Sequence, residues 1–162
     1  VKYIALRQPK AQDLRFVMAA SRIANELERM GDYAESIARQ AVFLSSRPPL
    51  RPLKNIPKMA EIAQKMLTDS LNAFLNRDAE LAENVIKRDE EVDQLQAVIY
   101  KNLLKDMIQD KDAIERASSL LLVSSKVERI ADQATNICEE VVYIITGRSI
   151  RHREKIQLAS ET

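Results

Sequence analysis

The chain has 162 residues and a formal net charge of +1, with 46% hydrophobic and 30% charged side chains. This length suits one domain, or two small repeats that share a core. The balanced charge gives no reason to expect nucleic-acid binding, and no apolar run approaches the ~20 residues that membrane insertion requires.

The single cysteine excludes an internal disulfide and is typical of a reducing compartment, so we predict a cytoplasmic protein. The chain begins with Val1 rather than Met. We therefore expect that an N-terminal piece is missing, and a targeting segment lost with it stays an open alternative.

Helix dominates the predicted secondary structure, because the chain has only 2 glycines and 4% aromatic residues and is rich in Ala, Leu, Glu, Lys and Arg. Four of its 5 prolines fall between residues 45 and 57 and interrupt the helical pattern. Asp78 is a suitable N-cap, and Asp112 with Glu115 forms a D-x-x-E capping pattern. Gly147 is a natural C-terminal stop. The predicted helices, in chain order, are 11–45, 57–76, 78–109 and 112–146.

The first and fourth predicted helices carry the same heptad pattern of apolar residues at an offset of 100 positions. Such a pattern is typical of long antiparallel helices in a bundle. The chain therefore contains an internal repeat, and the larger side chains of the pattern are expected in the core. The residues expected to be buried are Ile23, Leu27, Met30 and Ile37 in the first copy, and Val123, Val127, Ile130 and Ile137 in the second.

The repeat divides the chain unequally. Residues 57–147 form a complete three-helix repeat, whereas residues 1–46 supply only the last helix of the first repeat; residues 47–56 are a proline-rich linker and residues 148–162 a tail. The predicted fold class is all-α, an antiparallel helical bundle. The first helix either packs on the second repeat, giving a four-helix bundle, or meets another chain. We favour a homodimer, because an uncovered seam would be an exposed apolar patch.

Pairs of acidic residues spaced four apart recur in the predicted helices. Carboxylates at this spacing lie on the same face of a helix, and here that face is the outer one. The skeleton Glu-Arg-x-x-Asp is written once in each copy of the repeat, and the third predicted helix adds another pair. The pairs are Glu28 with Asp32, Asp89 with Asp93, and Glu128 with Asp132.

These acids have two interpretations. Two pairs on neighbouring helices would form a patch of carboxylates that repel one another unless a cation lies between them, and all-oxygen ligands suit hard cations, iron or manganese, with zinc and nickel as further candidates. In the other interpretation the acids only keep an outer helix face solvated, and Arg29 and Arg129 pair with them.

The motifs of the chain resemble those of the PhoU family of bacterial phosphate-signalling and phosphate-transport regulators. In the first copy the resemblance is carried by R-Q-P-x-x-x-D-L-R at 7–15 and E-R-M-G-D-Y-A at 28–34. V-E-R-I-A-D-Q-A-T-N-I at 127–137 matches the other repeat of the family, and R-D-E-E-V-D-Q-L at 88–95 matches its middle helix. The resemblance extends over about residues 1–147 and implies two three-helix repeats, the first of them truncated at its N-terminus.

The resemblance also implies a function. In some members of the family, E(D)xxxD motifs bind metal clusters on the surface, so the three acidic pairs are implied metal ligands. Asn136 fits the Asn often found four residues after the motif's Asp, whereas Ser36 stands at the matching place in the first copy, so the second site is expected to be the more complete. The implied role is negative control of the phosphate-starvation response, with the phosphate importer's ATPase and the sensor histidine kinase as partners.

No enzymatic site is predicted. A di-iron carboxylate oxidase needs inward-pointing Glu-x-x-His pairs, and the only histidine, His152, falls in the tail. Cys138 occupies a small position beside the seam and is expected to be a core thiol. The second functional hypothesis is a helical scaffold without metal, or an accessory protein of another phosphate transporter. The sequence leaves open whether phosphate itself binds.

Overall fold

The structure of the protein, a computed structural model, describes residues 11–50 and 54–147, with the side chains of residues 11 and 12 excepted. The predicted tail at 148–162, including His152, and the beginning of the R-Q-P motif lie outside the described residues. The described chain is helical, with no β-strand. Its elements are α1 (Ala11–Ser45), α2 (Asn55–Asn76), α3 (Ala79–Gln109), a 3-10 turn (Lys111–Ala113) and α4 (Ile114–Thr146).

Local capping sets the ends of these helices. The carboxylate of Asp78 accepts a hydrogen bond from the backbone N–H of Leu81 at 2.9 Å, as predicted for the start of α3. Before α4 the cap is Asp110, whose carboxylate accepts from the N–H of Asp112 at 2.9 Å and starts the 3-10 turn. The predicted cap at Asp112 is therefore wrong, and α4 begins two residues later than expected. Gly147 ends α4 in the left-handed conformation (φ 69°), as predicted.

Helix α4 is the central helix of the bundle. Helices α2, α3 and α4 pack against one another, and α1 packs along a further side of α4. Ion pairs join Arg22 to Glu140 and Arg47 to Glu115, so the start of α1 lies near the end of α4 and the two helices run antiparallel.

The first turns of α1 contact both α2 and the end of α4. The ring of Phe16 stacks on that of Phe74 in α2, with centroids 5.4 Å apart. The guanidinium of Arg15 lies so close to Gly147 that a Cβ added to this glycine would stand 3.1 Å from Nη1 of Arg15. These contacts fix how far along the bundle α1 is docked.

Apolar side chains from all four helices form one core, which is densest where α2, α3 and α4 meet. Burial of each large core side chain contributes roughly 1.5–3 kcal/mol, so this three-helix unit contains most of the stabilising contacts. The largest fully buried apolar side chains include Met59, Met66, Val85, Val92, Leu103 and Ile137.

The burial predicted for α1 is wrong at Leu27. Ile23 and Met30 are buried as predicted and Ile37 is partly buried, but Leu27 is 38% exposed, whereas Val127, its equivalent in the second copy, is 4% exposed. Helix α4 packs against the other three helices, whereas α1 packs mainly against α4. The Leu27 side of α1 is accordingly covered less completely than the Val127 side of α4.

The remaining predictions about the fold have different outcomes. Val123 and Ile137 are buried in the second copy and Ile130 is partly buried. The all-α class is confirmed. The division of the chain at a linker of residues 47–56 stays a prediction. None of the helices in the described ranges is long and apolar enough to cross a bilayer.

Candidate functional site

Carboxylates from α3 and α4 meet on the surface where these two helices run side by side. The short connection at residues 110–113 makes α3 and α4 antiparallel neighbours. It brings Asp93 of α3 near Glu128 of α4, and Asp132 lies one helical turn further along α4. The charges of Asp132 and Asp93 both act on Glu128. Asp93, Glu128 and Asp132 are called the acidic patch below.

The environment of Glu128 opposes its ionisation. Partial burial raises the pKa of its carboxyl, and the negative charges of Asp132 and Asp93 raise it further, whereas the positive charge of Arg129 lowers it. A carboxylate that is partly removed from water and flanked by two others is destabilised in its charged form. A cation bound at the acidic patch would offset this repulsion.

Asp89 lies at the edge of the acidic patch. It is partly buried on α3, one turn before Asp93. The carboxylates of Asp132 and Asp93 act on Glu128. Arg88, which precedes Asp89, donates a hydrogen bond to Asp69 of α2.

The acidic pair of the first copy stands apart from the patch. Glu28 and Asp32 are both exposed on α1. Each is two residues from Met30, or about 200° around the helix from the side that packs on α4. Between them, Arg29 pairs with Glu26 at 3.8 Å. The structure thus brings the second-copy acids together with α3, and it leaves Glu28 and Asp32 as a separate pair.

The acidic patch is not a ready-made metal site. Within residues 11–50 and 54–147, no group of three or more His, Cys, Asp or Glu side chains is arranged so that it could hold an ion. The donor chemistry does fit, because carboxylate oxygens are the ligands of hard cations, and the charges of Asp132 and Asp93 add to the effect of burial in raising the pKa of Glu128. A metal would therefore require the carboxylates to rotate towards it, and metal binding stays a prediction.

A buried ion pair at the interface of α1 and α4 was not predicted. Arg22 and Glu140 pair at 3.0 Å, and the side chain of Glu140 is only 4% exposed, compared with 48% for Arg22. The sequence contained a signal of the burial of Glu140, because Glu140 follows Ile137 by three residues and therefore lies on the same side of α4. A charged residue at such an apolar position requires a partner.

Cys138 is a core thiol, as predicted. It is fully buried, and burial raises the pKa of the thiol to about 12, with a further increase from the negative charge of Asp69 and a decrease from Arg88. The thiolate is the reactive form of cysteine, so this side chain is unreactive at neutral pH.

These features define a class of protein: an antiparallel helical bundle whose distinctive chemistry is an acidic surface. Comparison with known proteins assigns the helical bundle to a family. The family model described as "PhoU domain" matches residues 1–41 and 56–141. Over 153 residues the chain is 41% identical to a protein of Aquifex aeolicus, covering 94% of this chain and 69% of that protein. Over 162 residues it is 39% identical to a protein of Caulobacter vibrioides, covering 99% and 70%. Both are called "Phosphate-specific transport system accessory protein PhoU homolog".

Solved structures agree with this result. The crystal structure of PhoU from Pseudomonas aeruginosa superposes with a TM-score of 0.87 at 34% identity and covers 91% of this chain and 71% of that one. The phosphate transport system regulatory protein PhoU from Streptococcus pneumoniae gives 0.80 at 30% identity, covering 90% and 69%. The chain belongs to the PhoU family. This is a family of accessory and regulatory proteins, and the chain is accordingly not an enzyme.

Proposed function

We propose that this chain regulates phosphate uptake and phosphate-starvation signalling, as a negative regulator that acts through the phosphate importer's ATPase and the sensor histidine kinase. Membership of the PhoU family supports the proposal, together with the names of its relatives as accessory and regulatory proteins of phosphate transport. A cytoplasmic location agrees with such a role and stays a prediction.

The proposal includes a metal ion on the surface of α3 and α4. The observation that carries it is the convergence of Asp132 and Asp93 on Glu128, whose pKa is raised first by its partial burial and then by their charges. These three carboxylates, with Asp89 at the edge, would hold the ion, and the ion would neutralise their repulsion. Iron, manganese, zinc and nickel all remain candidates. Glu28 and Asp32 form a half-site that needs ligands from elsewhere.

Metal content and calorimetry test this site. The purified wild type is compared with the double variant Asp93→Asn/Asp132→Asn, by elemental analysis and by titration with each of the four metals. Glu80→Gln/Glu83→Gln is the matched control, because it removes the same number of charges from exposed residues of α3 that belong to no proposed site. We expect metal binding to be lost in the first variant and kept in the control. Equal metal content in all three proteins would refute the site.

A phosphate-responsive reporter tests the regulatory role separately. In a host that lacks its own homologue, the wild-type chain is expected to keep a phosphate-starvation promoter silent when phosphate is abundant. Direct binding to the importer's ATPase and to the histidine kinase is measured with the purified proteins. A promoter that stays active in the presence of the folded chain would contradict negative regulation, whatever the metal content.

A helical scaffold without metal is the second candidate function. It is supported by the arrangement of the acidic side chains, since no group of them within the described residues is placed to hold an ion. In this alternative the carboxylates only solvate the surface. The scaffold could equally serve another phosphate transporter. Absence of metal from the wild type, together with intact partner binding, would favour this alternative.

We also propose that the chain forms a homodimer through the exposed side of α1. Leu27 and Val42 are exposed there, and a Cβ added to Gly31 would meet no atom within 4 Å, so another backbone could approach closely. Light scattering is expected to give a dimer mass at micromolar concentration and a monomer mass for Leu27→Asp. A monomeric wild type would contradict this proposal.

A further inference from the structure

The last part of α3 and the first part of α4 expose large apolar side chains. These are Tyr100, Leu104 and Ile108 on α3 and Ile114 on α4, and they are called the apolar strip below. Ile108 is 76% exposed, and the other three are between 41% and 54% exposed. Single exposed apolar residues are common in proteins, so the significance of these four depends on whether they lie together.

The spacing of the residues places them on one surface. Tyr100, Leu104 and Ile108 are four residues apart and therefore share one side of α3. Ile114 lies about four helical turns before Glu128 and therefore on the side of α4 that faces α3. The two helices are antiparallel neighbours joined by the 3-10 turn at Lys111–Ala113, which contacts both of them. Ile108 and Ile114 thus lie on either side of this turn.

The acidic patch continues the same surface. Asp93 precedes Tyr100 by seven residues, or two helical turns, and lies on the same side of α3. Its alignment with Glu128 sets the register between α3 and α4. From Ile108 to Asp93 the surface extends over about 22 Å, at 1.5 Å per helical residue. One end is apolar, and the other end carries three carboxylates.

We propose that this surface binds an amphipathic helix of a partner protein, whose apolar side chains cover the apolar strip and whose Lys or Arg side chains meet the acidic patch. Recognition of a helix in this way uses apolar anchors spaced i, i+4 and i+7. The surface has the length of a helix of about 15 residues. Opposite charges at one end orient the bound helix and select basic partners over acidic ones.

A second copy of the same surface is a poorer occupant. Paired in the same direction, two copies would bring the carboxylates of one acidic patch against those of the other. Paired in opposite directions, each acidic patch would lie on the other copy's apolar strip, where its charges would be desolvated without a counter-charge. A basic helix avoids both costs.

The inference does not depend on the proposed metal site, and its test is made with a chelator present. The probe is a synthetic helical peptide of about 18 residues, with leucines spaced i, i+4 and i+7 in one half and lysines in the other. The control peptide has glutamate in place of every lysine. Binding of each to the full chain is measured by fluorescence anisotropy.

Two variants of the chain are matched in exposure. Ile108→Asp changes the apolar strip, whereas Leu75→Asp changes α2 at a side chain that is 75% exposed, compared with 76% for Ile108. We expect Ile108→Asp to weaken binding of the lysine peptide at least about tenfold, and Leu75→Asp to leave it unchanged. Asp93→Asn is expected to weaken binding and to reduce its dependence on salt. Circular dichroism verifies that each variant is folded.

Several outcomes would overturn the proposal. These are failure of the wild type to bind the lysine peptide, equal binding of the glutamate peptide, or equal effects of the two matched variants. If light scattering shows an oligomer for the wild type and a smaller mass for Ile108→Asp, the apolar strip binds a second copy of the chain. If a synthetic peptide of residues 148–162 binds to the chain and this binding is lost in Ile108→Asp, the apolar strip binds the chain's own tail and not a partner protein.

Discussion

Arg22 donates two hydrogen bonds to the carboxylate of Glu140, at 3.0 and 3.1 Å, and so joins the first half of α1 to the last part of α4. The Glu140 side chain is almost fully buried, whereas Arg22 is half-exposed. The docking of α1 on the three-helix unit therefore depends on a charge held inside the interface. Such a charge is costly when its hydrogen bonds are removed.

Arg22→Ala is expected to lower the free energy of unfolding by about 1–3 kcal/mol, because it removes the two hydrogen bonds that Arg22 donates to a buried carboxylate. Urea unfolding followed by circular dichroism measures the change. Arg39→Ala is the control, since Arg39 pairs with Glu35 on the exposed side of the same helix, and no measurable change is expected there. Equal stability of Arg22→Ala and wild type would show that the interface does not depend on this ion pair.

The internal repeat supplies a matched pair of variants, one at a buried position and one at the equivalent, more exposed position. Val127→Ala is expected to cost about 1–3 kcal/mol, because it removes buried methyl groups and leaves a cavity. Leu27→Ala, at the equivalent but exposed position, should cost less than about 1 kcal/mol despite removing more carbon atoms. The measurement is urea unfolding at low protein concentration. A larger loss for Leu27→Ala that grows with concentration would show that a second copy covers this side of α1.

Replacement of each of the two glycines by alanine is expected to have opposite effects on stability. Gly147→Ala is expected to destabilise the protein by about 1 kcal/mol or more, because the residue has a positive φ of 69° and its new Cβ would stand 3.1 Å from Arg15. Gly31→Ala should stabilise it by about 0.5–1 kcal/mol, because the residue is inside α1 with no atom within 4 Å of the new Cβ. Thermal unfolding at a protein concentration low enough for the chain to be monomeric measures both. Destabilisation by Gly31→Ala that appears only at higher concentration is expected from the proposed dimer, whereas destabilisation of the monomer would contradict the open space at this position.

Glu128→Gln is expected to stabilise the metal-free protein at pH 7. The folded-state pKa of Glu128 lies above its ordinary value of 4.5, so ionisation of this carboxyl costs folding free energy at every pH above the folded-state pKa. The cost disappears as the pH falls below 4.5. Because the group is partly solvated, the gain at pH 7 should be only about 0.5 kcal/mol.

Unfolding of Glu128→Gln and wild type is compared at pH 7 and at pH 4 in the presence of a chelator, and the two proteins should converge at the lower pH. Glu35→Gln is the control for a general effect of removing a carboxylate, because Glu35 lies in an exposed pair with Arg39. A difference between Glu128→Gln and wild type that stays constant with pH would contradict an electrostatic cause.

Much of the secondary structure follows from the sequence, because helix formation and capping depend on neighbours within a turn or two. Asp78 caps α3 and Gly147 ends α4 as predicted, since each cap uses only local backbone groups. The same locality places Glu128 and Asp132 on one side of α4. The cap before α4 was predicted at Asp112 but lies two residues earlier, at Asp110. Either aspartate could serve as a cap, and their spacing does not decide between them.

The contacts between helices could be identified only from the tertiary structure. The heptad pattern treats Leu27 and Val127 alike, yet only Val127 is buried, because α4 packs against three helices and α1 packs mainly against α4. The convergence of Asp93 on Glu128 depends on the register between α3 and α4, which the spacing along either helix leaves undetermined. The sequence alone therefore determined which residues share a face of a helix. What each face contacts was decided by packing, because burial and the electrostatics it creates belong to pairs of helices, and α1 and α4, which pack together, are far apart in the chain.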